Sequence, residues 1–279
     1  MVELTRDSIQ LDALHASVER EILDLSFRDL SGLNLSCLKL GYVNLHGAIL
    51  NGTDLRGTNL CGVDLCGADL RNADLRSANL RRARLRDTKL EGAKLRGVKL
   101  CGAQIDWASL PKNDLKKADL RRAELEEAQL KGLQWGGVKL RWAKLSEADL
   151  SLINLRGADL YCADLRDAHL RYADLTAANL IRAKLSYVDL IYAKLRGIWL
   201  CNADLRLSDL KGADLRWGHL SGADLWGSDL RGCHLFSADL RETNLEEVQL
   251  QWSEYDEYTQ WPKHFDPAGQ GAILIANNT

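Results

Sequence analysis

From Leu25 to Leu250 every fifth residue is leucine except Ile105 and Trp135, and no insertion or deletion shifts the register. The pattern has 46 centres, of which 44 are leucine. Self-similarity at a short fixed period marks a solenoid, in which each unit packs on its neighbours. A helix cannot carry this pattern. At about 100° per residue, successive centres would step by about 140° and scatter leucine around the circumference. A continuous strand is excluded as well, because side chains alternate faces with period two and an odd spacing sends successive leucines to opposite sides. The chain must turn within every pentad.

The residue two before each centre faces the same way as the centre and is mostly small. It is Ala at 24 of the 46 positions, among them Ala68, Ala73, Ala78 and Ala83. The other three positions face outward. Asp, Asn or Lys precedes the centre, as in Asp69, Asn79 and Lys89; Arg, Ser or Cys follows it, and then often Gly. Glycine there suits a corner, since it relieves crowding and tolerates unusual dihedral angles.

Runs such as Ala68-Asp69-Leu70-Arg71-Asn72 and Ala158-Asp159-Leu160-Tyr161-Cys162 resemble the pentapeptide repeat family, over about four fifths of the chain. The resemblance implies an all-β fold, a right-handed quadrilateral β-helix in which four pentads close one square coil. That gives about 11 coils here, and with strands about 4.8 Å apart a rod roughly 55 Å long. Leucine and small residues would fill each coil and leave no cavity for chemistry.

Three segments are expected: residues 1–23 as an N-terminal helical cap, 24–252 as the β-helix, and 253–279 as a C-terminal cap. Ile9, Leu14, Val18, Ile22 and Leu25 recur at helical spacing and predict an amphipathic helix covering the first coil. An uncovered end would present unpaired strand edges and a disc of leucine. The tail from Tyr255 through Pro267 breaks the period and resembles the C-terminal segment of cyanobacterial members of the family. Inside the repeats, Pro111, an inward Asn113 and the centres Ile105 and Trp135 mark an irregular stretch. Gly132, Gly136 and Gly137 beside Trp135 suggest a local bulge that makes room for the indole.

Catalytic and cofactor constellations do not emerge, so the chain is read as a non-enzyme without cofactor or metal. His46, His169, His219 and His234 fall on four different walls, with His15 and His264 in the end segments. Cys61 and Cys66, five apart, fit no common metal spacing. Seven cysteines at irregular spacing argue against a disulfide framework. With a net charge of -2 and no apolar run of spanning length, the chain is expected to be cytoplasmic and without membrane contact.

Function is therefore sought on the outward side chains, sorted by assigning each centre to one of four walls. The wall of centres 25, 45 and 65 carries 14 acidic and 6 basic residues; the next balances 7 against 7; the third has 10 basic and 5 acidic, the fourth 10 and 4. The densest acidic group includes Glu124, Glu126, Glu127 and Glu147. The fourth wall stacks Arg121, Arg122 and Arg141 with Trp142 and Tyr161. Leu152, Tyr172 and Tyr192 share one outward corner on successive coils, with Ile191 beside them. An exposed aromatic stripe is a reasonable docking site.

These features predict a rigid protein–protein interaction module or scaffold that binds an unknown protein partner, as a monomer or an end-to-end homodimer. Nucleic acid is not the expected partner. The alternative, implied by the family resemblance, is a DNA mimic that binds type II topoisomerase (gyrase). Mimicry needs a broadly acidic surface, whereas two walls here are basic.

Overall fold

The computed structural model describes residues 4–105, 115–125 and 127–276; Pro111, Asn113 and Glu126 lie outside them. It comprises two compact units, Met1–Ala123 and Glu124–Thr279. In each, the chain winds as a parallel ladder whose partners are 20 residues apart. Asp69 pairs with Ile49 and Lys89 in the first unit, and Asp164 with Lys144 and Lys184 in the second. Four pentads therefore make one coil.

In a regular pentad with Asp before its centre, each backbone donor has a partner. In the pentad from Ala68 to Asn72, the Ala68 N–H donates to Leu65 O, closing the corner. Asp69, Leu70 and Asn72 donate to Ala48, Lys89 and Glu91 carbonyls on the coils on either side, at 2.8–2.9 Å. The fifth donor, Arg71 N–H, is accepted by the Asp69 side chain at 3.1 Å. The pentad from Ala163 to Asp167 repeats the scheme, with Arg166 N–H on the Asp164 carboxylate. Where Asp or Asn precedes a centre, its side chain thus supplies the one acceptor that the ladder lacks, as such side chains do in Asx turns.

Because each bridge is made by about one residue per wall, regular strands are short. The first unit holds β1 (Leu23–Asp24) pairing with β2 (Val43–Asn44), and β3 (Arg84–Leu85) pairing with β4 (Gln104–Ile105). In the second unit, β5 (Glu254–Tyr255) pairs with β6 (Ile273–Leu274). Here the spacing departs from the coil: Asp239 pairs with Gln260, one residue more, and Glu254 with Ile273, one fewer.

Among the described residues, Tyr42 excepted, the corner forces the second residue after a centre into the left-handed region. It is glycine at Gly47, Gly67 and Gly157, but Leu152, Tyr172, Tyr192 and Trp217 adopt the same φ, between +54° and +60°. For a residue with a side chain this costs about 1 kcal/mol, sustained because three flanking ladder bonds leave no alternative.

The described leucine centres are buried, together with most of the small inward residues, while Ile105 is partly exposed. Where an inward residue is Thr, Ser or Cys, its side chain donates to a leucine carbonyl, either one coil back or, for Ser208, Thr243 and Ser253, three residues earlier. Thr53 donates to Leu30 O at 2.9 Å, Thr58 to Leu35 O at 2.8 Å and Cys233 to Leu210 O at 2.9 Å. A polar group is thereby buried without leaving it unpaired. Trp135 is fully buried too, but no bulge forms around it. Gln134 pairs with Asn154 in the regular register, and Trp135 N–H donates to Asn154 O at 2.8 Å. The Gly136-Gly137 corner turns normally, so the ladder holds the backbone in place around the larger side chain.

A helix, α1 (Arg6–Glu19), precedes the ladder and lies against β1. A capping box between Thr5 and Ser8 starts it, and Arg6 ties it down by donating to Asn34 O at 2.7 Å and Ser36 O at 3.0 Å. The helix is where periodicity predicts it, but its buried face differs. Ile9, Ala13 and Ala16 face the ladder, whereas Leu14, Val18 and Ile22 are exposed. Ile9, Ala13 and Ala16 fall four and three apart on one stripe, and the two alanines allow close approach.

Candidate functional site

Where an acid precedes a centre, it organises the outward side chains around it. Wherever arginine follows the same centre, its Nε and Nη2 clasp the carboxylate that already accepts its N–H. Arg166 does this with Asp164 at 2.8 Å, and Arg206 with Asp204 at 2.8 and 2.9 Å. Arg56, Arg76, Arg216 and Arg241 make the same fork with Asp54, Asp74, Asp214 and Asp239. Hydrogen bonding from Arg206 holds the Asp204 carboxyl below its ordinary value, against partial burial. The excess of basic residues on two walls is thus partly compensated in place, which a count of charges per wall does not register.

The acidic group is divided in the same way. Glu124 pairs with Lys144 at 3.4 Å. Glu127 and Glu147 occupy left-handed corners and are exposed, with no ion pair among the described residues. Glu126 lies outside the described residues.

The arginine–aromatic group falls in two parts. Arg121 and Arg122 belong to the first unit, where Arg121 and Arg81 share the Asp119 carboxylate at 2.7 and 3.2 Å. In the second unit the Arg141 guanidinium lies 4.9 Å from the Trp142 ring and 4.6 Å from that of Tyr161, and the two rings meet edge to face. Each ring attracts the cation through its negative face.

Leu152, Tyr172 and Tyr192 form one corner edge of the second unit. All three are more than half exposed. The Tyr172 and Tyr192 rings stack with centroids 5.5 Å apart and 14° from parallel. The Tyr192 ring in turn covers Gly212, where an added Cβ would run into it. Ile191 is half-buried beside them, its N–H donating to Asp189 Oδ1 at 3.2 Å, and Arg171 pairs with the other oxygen of that carboxylate.

This edge opens onto the third wall, the one with ten basic residues against five acidic, a count that gives its net charge but not its shape. Two residues beyond Tyr172 and Tyr192 come Asp174 and Lys194, then Thr176 and Arg196, then the next corner with Ala177, Gly197 and Trp217. A groove of about 650 Å³ lies here, lined by Arg156, Asp174, Lys194, Arg196, Arg216 and Trp217 among others. The Arg196 guanidinium sits 4.8 Å from the Trp217 ring centre and that of Arg216 6.0 Å. An aromatic at a corner where glycine is cheapest, followed by basic residues on the adjoining wall, is the sequence signal that would have revealed it.

Among the described residues no group of three or more histidine, cysteine or acidic side chains could hold a metal, and all seven cysteines are free thiols. Burial pushes the Cys233 thiol up to about 12, far from the range of a nucleophile at neutral pH. No helix among the described residues is long and apolar enough to cross a membrane.

A parallel ladder with twenty-residue coils and buried leucine centres defines a β-solenoid. The chain belongs to the pentapeptide repeat family: the model described as pentapeptide repeats matches residues 29–76, 78–112 and 136–253. Members of this family form right-handed quadrilateral β-helices and are typically structural or interaction modules. Among solved structures the chain is similar to alr5209, a pentapeptide repeat protein from the cyanobacterium Nostoc, at 39% identity over 37% of this chain and 84% of that one, with a TM-score of 0.36. It is similar to HetL, a Nostoc pentapeptide repeat protein involved in heterocyst differentiation regulation, at 28% identity over 84% and 92% of the two chains, TM-score 0.32. QnrB1, a plasmid-mediated fluoroquinolone resistance protein, is similar at 18% identity over 91% of each chain, TM-score 0.39. No curated protein matches the chain.

Proposed function

We propose that this protein is a non-enzymatic interaction module or scaffold that binds a protein partner through the Leu152, Tyr172 and Tyr192 edge. One observation carries the reading. Two tyrosines are held in left-handed backbone, stacked and exposed, at a corner where glycine would cost less. Nearly every described corner shares that backbone, so it is the exposed aromatic stack that sets this edge apart, and aromatic side chains dominate interface energetics. The free thiols support a reducing compartment, the cytoplasm. α1 and the β5–β6 pair serve as the end caps of about 11 coils.

Pull-down from the source cell with wild type and Tyr172→Ala/Tyr192→Ala tests the edge, and an unchanged partner list removes it from the proposal. The DNA-mimic alternative has less support. Glu124, Asp164 and Asp204 of the acidic wall are each compensated by a neighbouring cation, so among the described residues its run of bare charge narrows to the Glu127, Glu147 and Asp167 corner, far short of a phosphate backbone. Purified protein is expected to leave gyrase supercoiling unaltered.

A further inference from the structure

We propose that the wall between the tyrosine edge and Trp217 is a docking groove for an extended acidic segment of a partner protein. Arg156, Lys194 and Arg196 hold its carboxylates, and Tyr172 and Tyr192 hold its apolar side chains. This deepens the interaction-module reading and rests on it.

The charge of the groove selects the class of partner. Four cations line it against two carboxylates. Asp214 is forked by Arg216 at 2.6 Å with Arg196 at 3.9 Å, and Asp174 is approached by Arg156 at 3.4 Å. Lys194 has no carboxylate within ion-pair distance among the described residues and is exposed. Positive charge is left over at Lys194 and Arg196, in the middle of the wall.

Access and orientation follow from the corner residues. A Cβ built on Gly157 or Gly197 meets nothing within 4 Å, so the floor beside Arg156 and Arg196 is open. Trp217 stands at the next corner, and its ring fixes the Arg196 guanidinium by cation–π contact. A guanidinium laid over a ring keeps its N–H edges free for a carboxylate in its own plane. Successive coils repeat about every 4.8 Å, so the basic groups recur along a line that suits an extended chain. Nucleic acid fits less well, since the Trp217 face on which a base would stack is covered by Arg196.

The test is fluorescence anisotropy of the full chain with a labelled random copolymer of glutamate and tyrosine, beside polyglutamate and oligothymidylate. The copolymer is expected to bind, with affinity falling steeply as salt rises. Lys194→Glu/Arg196→Glu is expected to weaken it by about tenfold or more with the melting temperature kept, both positions being exposed. Tyr172→Ala/Tyr192→Ala should weaken the copolymer and leave polyglutamate unchanged. Absence of copolymer binding at low salt overturns the proposal. So does binding that survives the double charge reversal, or oligothymidylate binding that equals the copolymer and is lost with the same reversal. If the reversal has no effect while the tyrosine variant still loses a cellular partner, the groove falls and the edge stands. If copolymer binding needs Lys194 and Arg196 but the tyrosine variant keeps every partner, the groove stands and the edge falls.

Discussion

Tyr172 and Tyr192 are twenty residues apart in the chain, yet their rings stack at 5.5 Å, each on a backbone with φ of +57° or +54°. Two opposed costs meet at this pair. The stack contributes about 0.5–1.5 kcal/mol, and the left-handed backbone of each residue takes back a similar amount. Tyr192→Ala removes the stack and keeps the strain, whereas Tyr192→Gly removes both. The glycine variant is therefore expected to be more stable than the alanine variant by about 1 kcal/mol, reversing the usual order. Chemical denaturation of the two variants measures this, and an alanine variant of equal or greater stability contradicts the corner assignment.

The core makes a second prediction. Leu165 is fully buried and Arg166 points outward in its fork with Asp164. Leu165→Ala is expected to cost roughly 2–5 kcal/mol and Arg166→Ala under about 1 kcal/mol. Equal losses in denaturant titrations would reverse the inward and outward sets.

Acid should loosen the ladder from its surface. The Asp54, Asp74, Asp164, Asp204 and Asp239 carboxyls are held below their ordinary value chiefly by side-chain hydrogen bonds from the following arginine. Groups with depressed values stabilise the fold above the unfolded carboxylate range, about pH 3.9, and lose that contribution as pH falls through their folded values. The melting temperature is expected to change little from pH 7 to about 5 on their account and to drop below about pH 4. Asp204→Asn should flatten part of that drop.

Thiol chemistry separates the inside from the outside. Cys37 is exposed at a left-handed corner, while Cys233 is buried, its thiol donating to Leu210 O. Iodoacetamide followed by mass spectrometry should label Cys37 in the native protein and Cys233 only in denaturant. Native labelling of Cys233 would place it outside the core.

At the first helix, Ile9→Ala should cost roughly 2–5 kcal/mol because the side chain is fully buried. Val18→Ser, at an exposed position, should stay within about 0.5 kcal/mol. The reverse order in thermal melts would restore the face that periodicity alone selects.

How much was legible in the sequence depends on which interaction decided each feature. The five-residue spacing exposes the inward set directly, because a leucine displaced from its register would leave the core. The same spacing is silent about pairing between Asp204 and Arg206, which arises because the acid before a centre must accept the N–H after it, bringing the arginine fork within reach. Reading the charges wall by wall therefore exaggerated the basic surfaces. In α1, apolar residues cover more than one stripe, and the choice of the Ile9, Ala13 and Ala16 face was made by contact with β1 and the Arg6 tether, neither visible in local periodicity. The tyrosine edge was legible because coil length fixes which residues share a corner. The Trp217 groove was missed because the basic count of its wall carries no shape, and the shape comes from the corners on both sides of it taken together.

The twenty-residue pairing also limits how a gene encoding such a chain can change. Adding or removing sixty nucleotides inserts or deletes a whole turn and keeps Tyr172 and Tyr192 in one column. Any smaller in-frame change would rotate the downstream face, parting residues such as Lys194 and Arg196 from the aromatics they accompany. The shifts between Asp239 and Gln260 and between Glu254 and Ile273 fall beyond the aromatic edge and the groove, where losing register disturbs neither.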